Sequence, residues 1–368
     1  MDGRFLIPTG SLSHRTGLTE SAYLCPRMKE ETTRTGDKDR KQDHLDLAFE
    51  ADMGNLGTDS RFRYEPMLAA HPDTDLDLSI SFLGKKLAAP LWVSSMTGGT
   101  EMALMINQRL AASCAKFGLG MGLGSCRPLL DNLTRLNDFD VREIIGPELP
   151  LYANLGIAQV EKLLAEERIE DIQKLISTLR ADGLVIHVNP LQEWLQPEGD
   201  RIHRPPIETI EHILSKVSFP IIVKEVGQGM GWESLAALLA LPLEAVELAA
   251  HGGTNFSKLE LLRSNAHSQE VYGSIAQIGH RIEQMIAWIN QLRLEGGHPM
   301  RCRQIIISGG IKDFLDGYYW MEKLNLPSIY GQASAFLKYA RESQEALDEF
   351  ISNQIMGLRL AHTYLKVK

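Results

Sequence analysis

An α/β fold is predicted, a single (β/α)₈ barrel with an N-terminal extension and a capping strand or hairpin. Three observations carry it. From residue 90 onward, short apolar or β-branched runs alternate with stretches of helical periodicity. Eight such runs fall within about 250 residues, the size and count of this barrel. No G-x-G-x-x-G follows the first run, which leaves a doubly wound open sheet as second choice.

Residues 1–39 are polar, and "KEETTRTGDKDRK" is too hydrophilic to enter a core. "GRFLIPTGSLSH" is too short and interrupted for a secretory apolar region. This segment reads as a loosely held extension, and 40–368 as the barrel domain. Met28, directly before the charged run, is a candidate natural start. "RKQDHLDLAFEAD" (40–52) begins like a helix, and "DLSISFLGKKLAAP" (77–90) alternates like a strand or hairpin closing one barrel end.

The barrel strands are expected in "PLWVSSM" (90–96), "LGMGLGS" (119–125), "PLYANLG" (150–156), "GLVIHVN" (183–189), "PIIVKEV" (220–226), "AVELAAH" (245–251), "QIIISGG" (304–310) and "SIYGQAS" (328–334). "QVEKLLAEERIEDIQKLISTLRA" and "SIAQIGHRIEQMIAWINQLRLE" carry the helical spacing between them. The glycines of "GMGLGS" match no dinucleotide fingerprint and mark close approach to a neighbour or ligand.

The chain of 368 residues has a net charge of −9. That argues against nucleic-acid or anionic-membrane partners but leaves room for a local anion site. The cysteines Cys25, Cys114, Cys126 and Cys302 are scattered without CxxC, which suits reduced thiols in a cytoplasmic protein. No apolar run is long enough to span a membrane.

A barrel of this kind places its chemistry at the C-terminal strand ends. "SGGI" and "YGQAS" end the last two strands, and their glycines allow backbone N–H groups to approach a phosphate. The plainer alternative is that they are turn residues. Lys224 points into the barrel, where an ammonium must be paired or functional. A pair with Glu225 is disfavoured because adjacent strand residues face opposite sides. Val185, His187 and Asn189 share one face, with Gln192 and Glu193 just beyond Pro190. A single carboxylate near phosphates suits Mg²⁺. The tail "QPEGDR" (196–201) either contacts substrate or ties its loop down.

Taken together, "RKQDH" (40–44), "SSMTGG" (94–99), "GLGSCR" (122–127), "ANLG" (153–156), "HVNPLQEWLQPEGDR" (187–201), "VKEVGQGM" (223–230), "GGTNF" (252–256) and "SGGI" (308–311) resemble the type 2, FMN-dependent isopentenyl diphosphate isomerases. "NPLQE…QPEGD" is the most specific of these motifs, whereas "SGGI" is common among flavin barrels. The resemblance implies a TIM barrel that interconverts isopentenyl and dimethylallyl diphosphate with reduced FMN and Mg²⁺, NADPH reducing the flavin. It implies that Met96, Thr97, Ser125, Asn154, Lys224, Thr254, Gly309, Gly310, Gly331 and Ala333 line FMN. Arg40, Lys41, His44, Arg127, His187, Asn189 and Gln192 then bind substrate, with Gln192 at the alkene as the catalytic side chain and Glu193 on the metal. Assembly as a tetramer or octamer is the family habit.

Three departures stand out. Cys126 replaces a usual Gln, and Tyr319 replaces a usual Lys after the retained Asp316. The lead before "RKQDH" is long. Competing readings are another FMN barrel acting on a 2-hydroxy acid or enone, a degenerate binding module, and a flavin-free aldolase using Lys224 as a Schiff base.

Overall fold

The computed structural model describes residues 37–54, 57–73, 76–95, 101–297 and 299–368. The chain divides into two compact units, Met1–Thr58 and Asp59–Lys368. The first contains a polar helix, Asp37–Leu47, as the spacing of "RKQDH…" predicts. Residues 1–36 of the expected extension lie outside the described residues.

The second unit is a closed barrel of eight parallel strands in sequence order. They are β1 (Leu91–Val93), β2 (Gly120–Gly122), β3 (Leu151–Gly156), β4 (Gly183–Val188), β5 (Ile221–Glu225), β6 (Ala245–Glu247), β7 (Ile305–Ser308) and β8 (Ser328–Gln332). Each falls inside a predicted run, and β6 pairs with β7 to complete the closure. The open-sheet alternative is excluded, because a closed barrel has no edge strands.

Burial on both faces explains the near-continuous apolar character of the strands. Outward residues such as Leu91, Ala153, Ile186, Val223, Val246 and Ile307 pack under the helices in one large core. Inward residues form a second core: Trp92, Tyr152, Val185, Ile222, Ala245, Ile306 and Ile329. Gly120 and Gly122 make room for it. A Cβ on Gly120 would lie 2.6 Å from the Trp92 ring, and one on Gly122 would lie 2.4 Å from Ser95 Oγ. Their close approach is therefore to neighbours.

The capping element is a hairpin, Ile80–Phe82 paired antiparallel with Lys85–Leu87. Leu83 and Gly84 both have positive φ, +51° and +71°, as the tight turns that match strand twist require. Phe82, Leu83 and Leu87 join the inner core and so plug the barrel. Leu83 N–H donates to Gln304 Oε1 at 2.8 Å, and Lys85 pairs with Asp182 at 2.6 Å, fastening the plug to the barrel.

Two details were not predicted. The stretch 159–181 is broken by Glu167, which has φ +57°, into helices Ile157–Ala165 and Ile169–Leu179. A short strand, Phe62–Tyr64, pairs antiparallel with Leu365–Val367 near the chain's end. Among the described residues no helix is long and apolar enough to cross a membrane.

Candidate active site

Two residues further along six of the inward rows, the barrel interior turns from apolar to polar. Trp92 gives way to Ser94, Tyr152 to Asn154, Val185 to His187, Ile222 to Lys224, Ala245 to Glu247 and Ile306 to Ser308. The pleat alone produces this ring, since residues i and i+2 share a face. A cavity of about 450 Å³ opens above it. Its wall includes Lys224, Thr254, Gly309, Gly310, Gly331 and Ala333, residues that the motifs assign to cofactor binding. Met96 and Thr97 lie outside the described residues. Ser125 and Asn154 do not line this cavity.

Glycine shapes one side of it. Gly309 (φ +89°) and Gly310 (φ +80°) follow β7. A Cβ on Gly309 would lie 2.1 Å from Ala250 O and 2.2 Å from Ala250 N. A Cβ on Gly253 would lie 3.0 Å from Gly310 N. The loops after β6 and β7 therefore touch through bare backbone. Beside them the helix Ser334–Glu342 begins at the end of β8, so its free N–H groups face the cavity rim. Lys312 and Lys338 add cations there. Ala249, at φ +43°, holds strained backbone next to this cradle and donates its N–H to Ser308 Oγ at 3.1 Å.

Polar atoms on the wall are left unsatisfied. Ser94 Oγ, Ser95 Oγ, Glu247 Oε2 and Gln332 Oε1 are buried without a hydrogen-bond partner among the described residues. Four such atoms in one cavity fit a polar ligand that supplies their partners. Glu247 is only 1% exposed and is the register neighbour of Lys224. Its other oxygen accepts from Ser308 Oγ at 3.0 Å. The predicted pairing alternative for Lys224 is not what occurs. Lys224 Nζ donates to the Glu225 backbone carbonyl at 2.9 Å, while the Glu225 carboxylate takes the N–H groups of Gly227, Gln228 and Gly229.

The β4 end forms a second polar cluster. His187 Nδ1 lies 2.7 Å from Asn154 Oδ1, and Asn154 Nδ2 donates to Leu123 O at 3.0 Å. Burial, with the nearby Lys224 ammonium, pushes the His187 pKa down to about 3. The ring is therefore neutral at ordinary pH. Asn189 Nδ2 donates to both Gln192 Oε1 (3.1 Å) and Glu193 Oε1 (3.0 Å). Gln192 Nε2 in turn donates to Glu260 Oε1 at 3.3 Å. Asn189, Gln192 and Glu193 are thereby held as one unit at the start of the helix Pro190–Leu195.

The tail of that motif ties the loop down. Asp200 N–H donates to Glu193 Oε2 at 2.7 Å, Asp200 pairs with Arg127 at 2.8 Å, and Glu198 pairs with Arg263 at 2.6 Å. Gly199 has no room for a Cβ, which would sit 1.9 Å from Glu193 O. Arg40, Lys41 and His44 are exposed on the helix of the first unit.

Sequence reasoning missed Glu247, Glu260 and Lys338. Glu247 was legible by parity from Ala245, had β6 been ended two residues past it. Lys338 sits one turn into the helix after "YGQAS". Nothing local marked Glu260, which reaches Gln192 only through the fold. The buried Cys126 has its thiol pushed up to about 12 by desolvation, so it is inert packing.

Fold and cavity together define a (β/α)₈ barrel with a glycine-lined cavity at its last two strand ends. The chain belongs to the isopentenyl-diphosphate delta-isomerase family. It is 33% identical over 332 residues to the isopentenyl-diphosphate delta-isomerase of Rickettsia felis, covering 88% of this chain and 91% of that one. It is 36% identical over 316 residues to that of Nostoc sp., covering 84% and 86%. For the enzyme of Synechococcus sp. the figures are 36% over 326 residues, 87% and 90%. No protein-family profile matches the sequence. Among solved structures, the flavin-binding domain of baker's yeast flavocytochrome b2 superposes with a TM-score of 0.56 at 12% identity, covering 82% of this chain and 72% of that one. A mandelate oxidase variant gives 0.50 at 13%, covering 84% and 88%. At such identities the likeness is one of fold, and it fits the barrel-type, type 2 branch of the family.

Proposed function

We propose that this chain converts isopentenyl diphosphate to dimethylallyl diphosphate, with FMN seated in the cavity above Lys224. The observation that carries the cofactor is the set of four unpartnered buried polar atoms around a glycine cradle. The relatives' shared activity carries the reaction. Gly309, Gly310 and the N–H groups at the start of the Ser334–Glu342 helix would hold the FMN phosphate, with Lys312 and Lys338 as counter-charges. When bound, reduced FMN supplies an electron-rich ring beside the alkene and a site for proton exchange. Lys224 would place a fixed positive charge at the ring edge and favour the anionic reduced form.

Moving a double bond adds a proton at one carbon and removes one from another, with no net redox. The chain's residues fix where this happens. Arg127 offers a bidentate contact to the diphosphate. Neutral His187 and Asn189 add polar contacts at the barrel mouth. Gln192 is a carboxamide and too weak to be an acid. Held between Asn189 and Glu260, it orients the alkene end or relays a proton. Glu193 would bind Mg²⁺ as a single carboxylate shared with substrate phosphates, and no cluster of three or more ligating side chains is found among the described residues. The resemblance further points to NADPH as reductant and to a homo-oligomer.

The test is the visible spectrum of the purified protein with added FMN, followed by anaerobic reduction and addition of isopentenyl diphosphate and Mg²⁺. Flavin uptake and formation of dimethylallyl diphosphate are expected. A protein that binds FMN but turns over only hydroxy acids or enones would replace this reading with the oxidoreductase one.

A further inference from the structure

Arg127, on the loop after β2, is held by an ion pair. Asp200 Oδ2 lies 2.8 Å from its Nη1, and the same oxygen accepts from Gln159 Nε2 at 2.9 Å. Both side chains of the ion pair stay in contact with water, at 49% and 38% exposure. An ion pair so placed is weak and screened by salt. A diphosphate carries more charge than a carboxylate and binds guanidinium in the same forked geometry. The two anions cannot share Arg127 without repelling each other.

We propose that Asp200 is a placeholder anion. It occupies Arg127 while the site is empty and competes with the substrate diphosphate for that guanidinium. This rests on the diphosphate reading of Arg127 given above. Asp200 is thus a positioning residue that acts through Arg127. Its carboxylate holds the Arg127 guanidinium and lowers affinity for diphosphate, so that a bound diphosphate releases it. The loop does not depend on the charge. The Asp200 backbone N–H holds Glu193 Oε2, and Gln159 needs only an acceptor at this position.

Inorganic pyrophosphate, titrated calorimetrically into the full chain with and without Mg²⁺, reads the competition directly. Asp200→Asn keeps the acceptor and removes the charge. It is expected to bind pyrophosphate about fivefold more tightly than the native chain at low salt, equivalent to about 1 kcal/mol. The gain should shrink as salt is raised and vanish in an Arg127→Gln background. Asp200→Ser serves the same purpose if the Asn variant does not fold. Equal binding overturns the proposal, because Asp200 then does not compete. Weaker binding also overturns it, making Asp200 a latch or a metal ligand. If the native chain binds pyrophosphate and Arg127→Gln binds it equally well, the placeholder falls while a diphosphate site remains. If the native chain binds none under any condition, both readings fall.

Discussion

His187 and Asn154 are locked to each other across neighbouring strands. Asn154 spends its N–H on Leu123 O, so its carbonyl faces His187 Nδ1 at 2.7 Å and takes the ring proton there. The ring is left neutral, with its lone pair on Nε2. The folded protein resists charging it, since its pKa falls to about 3.

Burial of this ring, with the Lys224 ammonium nearby, makes stability depend on pH. Unfolded, the ring titrates near 6.5, so between about 6.5 and 3 the unfolded chain binds the extra proton. Stability therefore falls as the solution is acidified through this window, by at most about 1.4 kcal/mol per pH unit from this group. Above the unfolded value the group contributes no slope. Melting curves from pH 7 to pH 4 should fall more steeply for the native chain than for His187→Gln. Parallel curves would remove His187 from the account.

Gly309 and Gly310 should differ under the same substitution. Gly309→Ala drives a methyl to 2.1 Å from Ala250 O and requires the β6 and β7 loops to part. A cost above about 3 kcal/mol and loss of FMN uptake are expected, read by thermal melts and flavin fluorescence. Gly310→Ala meets only a tight contact at 3.3 Å with Gly252 backbone besides its positive φ, and a smaller cost of about 1 kcal/mol is expected. The reverse order would contradict the cradle geometry.

Gln192→Glu sets a second carboxylate 3.3 Å from Glu260 Oε1. Two like charges so close force one to hold a proton, and the amide donor is lost. Isomerase turnover is expected to fall about 100-fold at neutral pH while FMN binding is retained. Full activity in this variant would mean that Gln192 neither orients nor relays.

Lys224→Met removes the one cation that β5 turns toward the cavity. The bound flavin should become harder to reduce, its midpoint potential falling by about 30 mV for each 1.4 kcal/mol of lost stabilisation. A spectroelectrochemical titration of the holoenzyme checks this. An unchanged potential would place Lys224 away from the flavin's charge.

Much was legible in the sequence because two periodicities are local. Alternation of apolar runs with helical stretches, repeated eight times, fixes a barrel, and strand parity puts Val185, His187 and Asn189 on one face before any coordinate is known. Spacing likewise places Lys224 near the end of β5 and Gln192 and Glu193 just past β4. What the sequence could not reach are contacts between residues far apart along the chain. Glu260 on Gln192, Asp200 on Arg127 and Asn154 on His187 each join elements that only the tertiary fold brings together. The neutrality of His187 and the unpaired oxygens of Ser94, Glu247 and Gln332 follow from burial, which no linear pattern encodes. Local chemistry chose the residues of this protein; the folding of the sheet decided which of them touch.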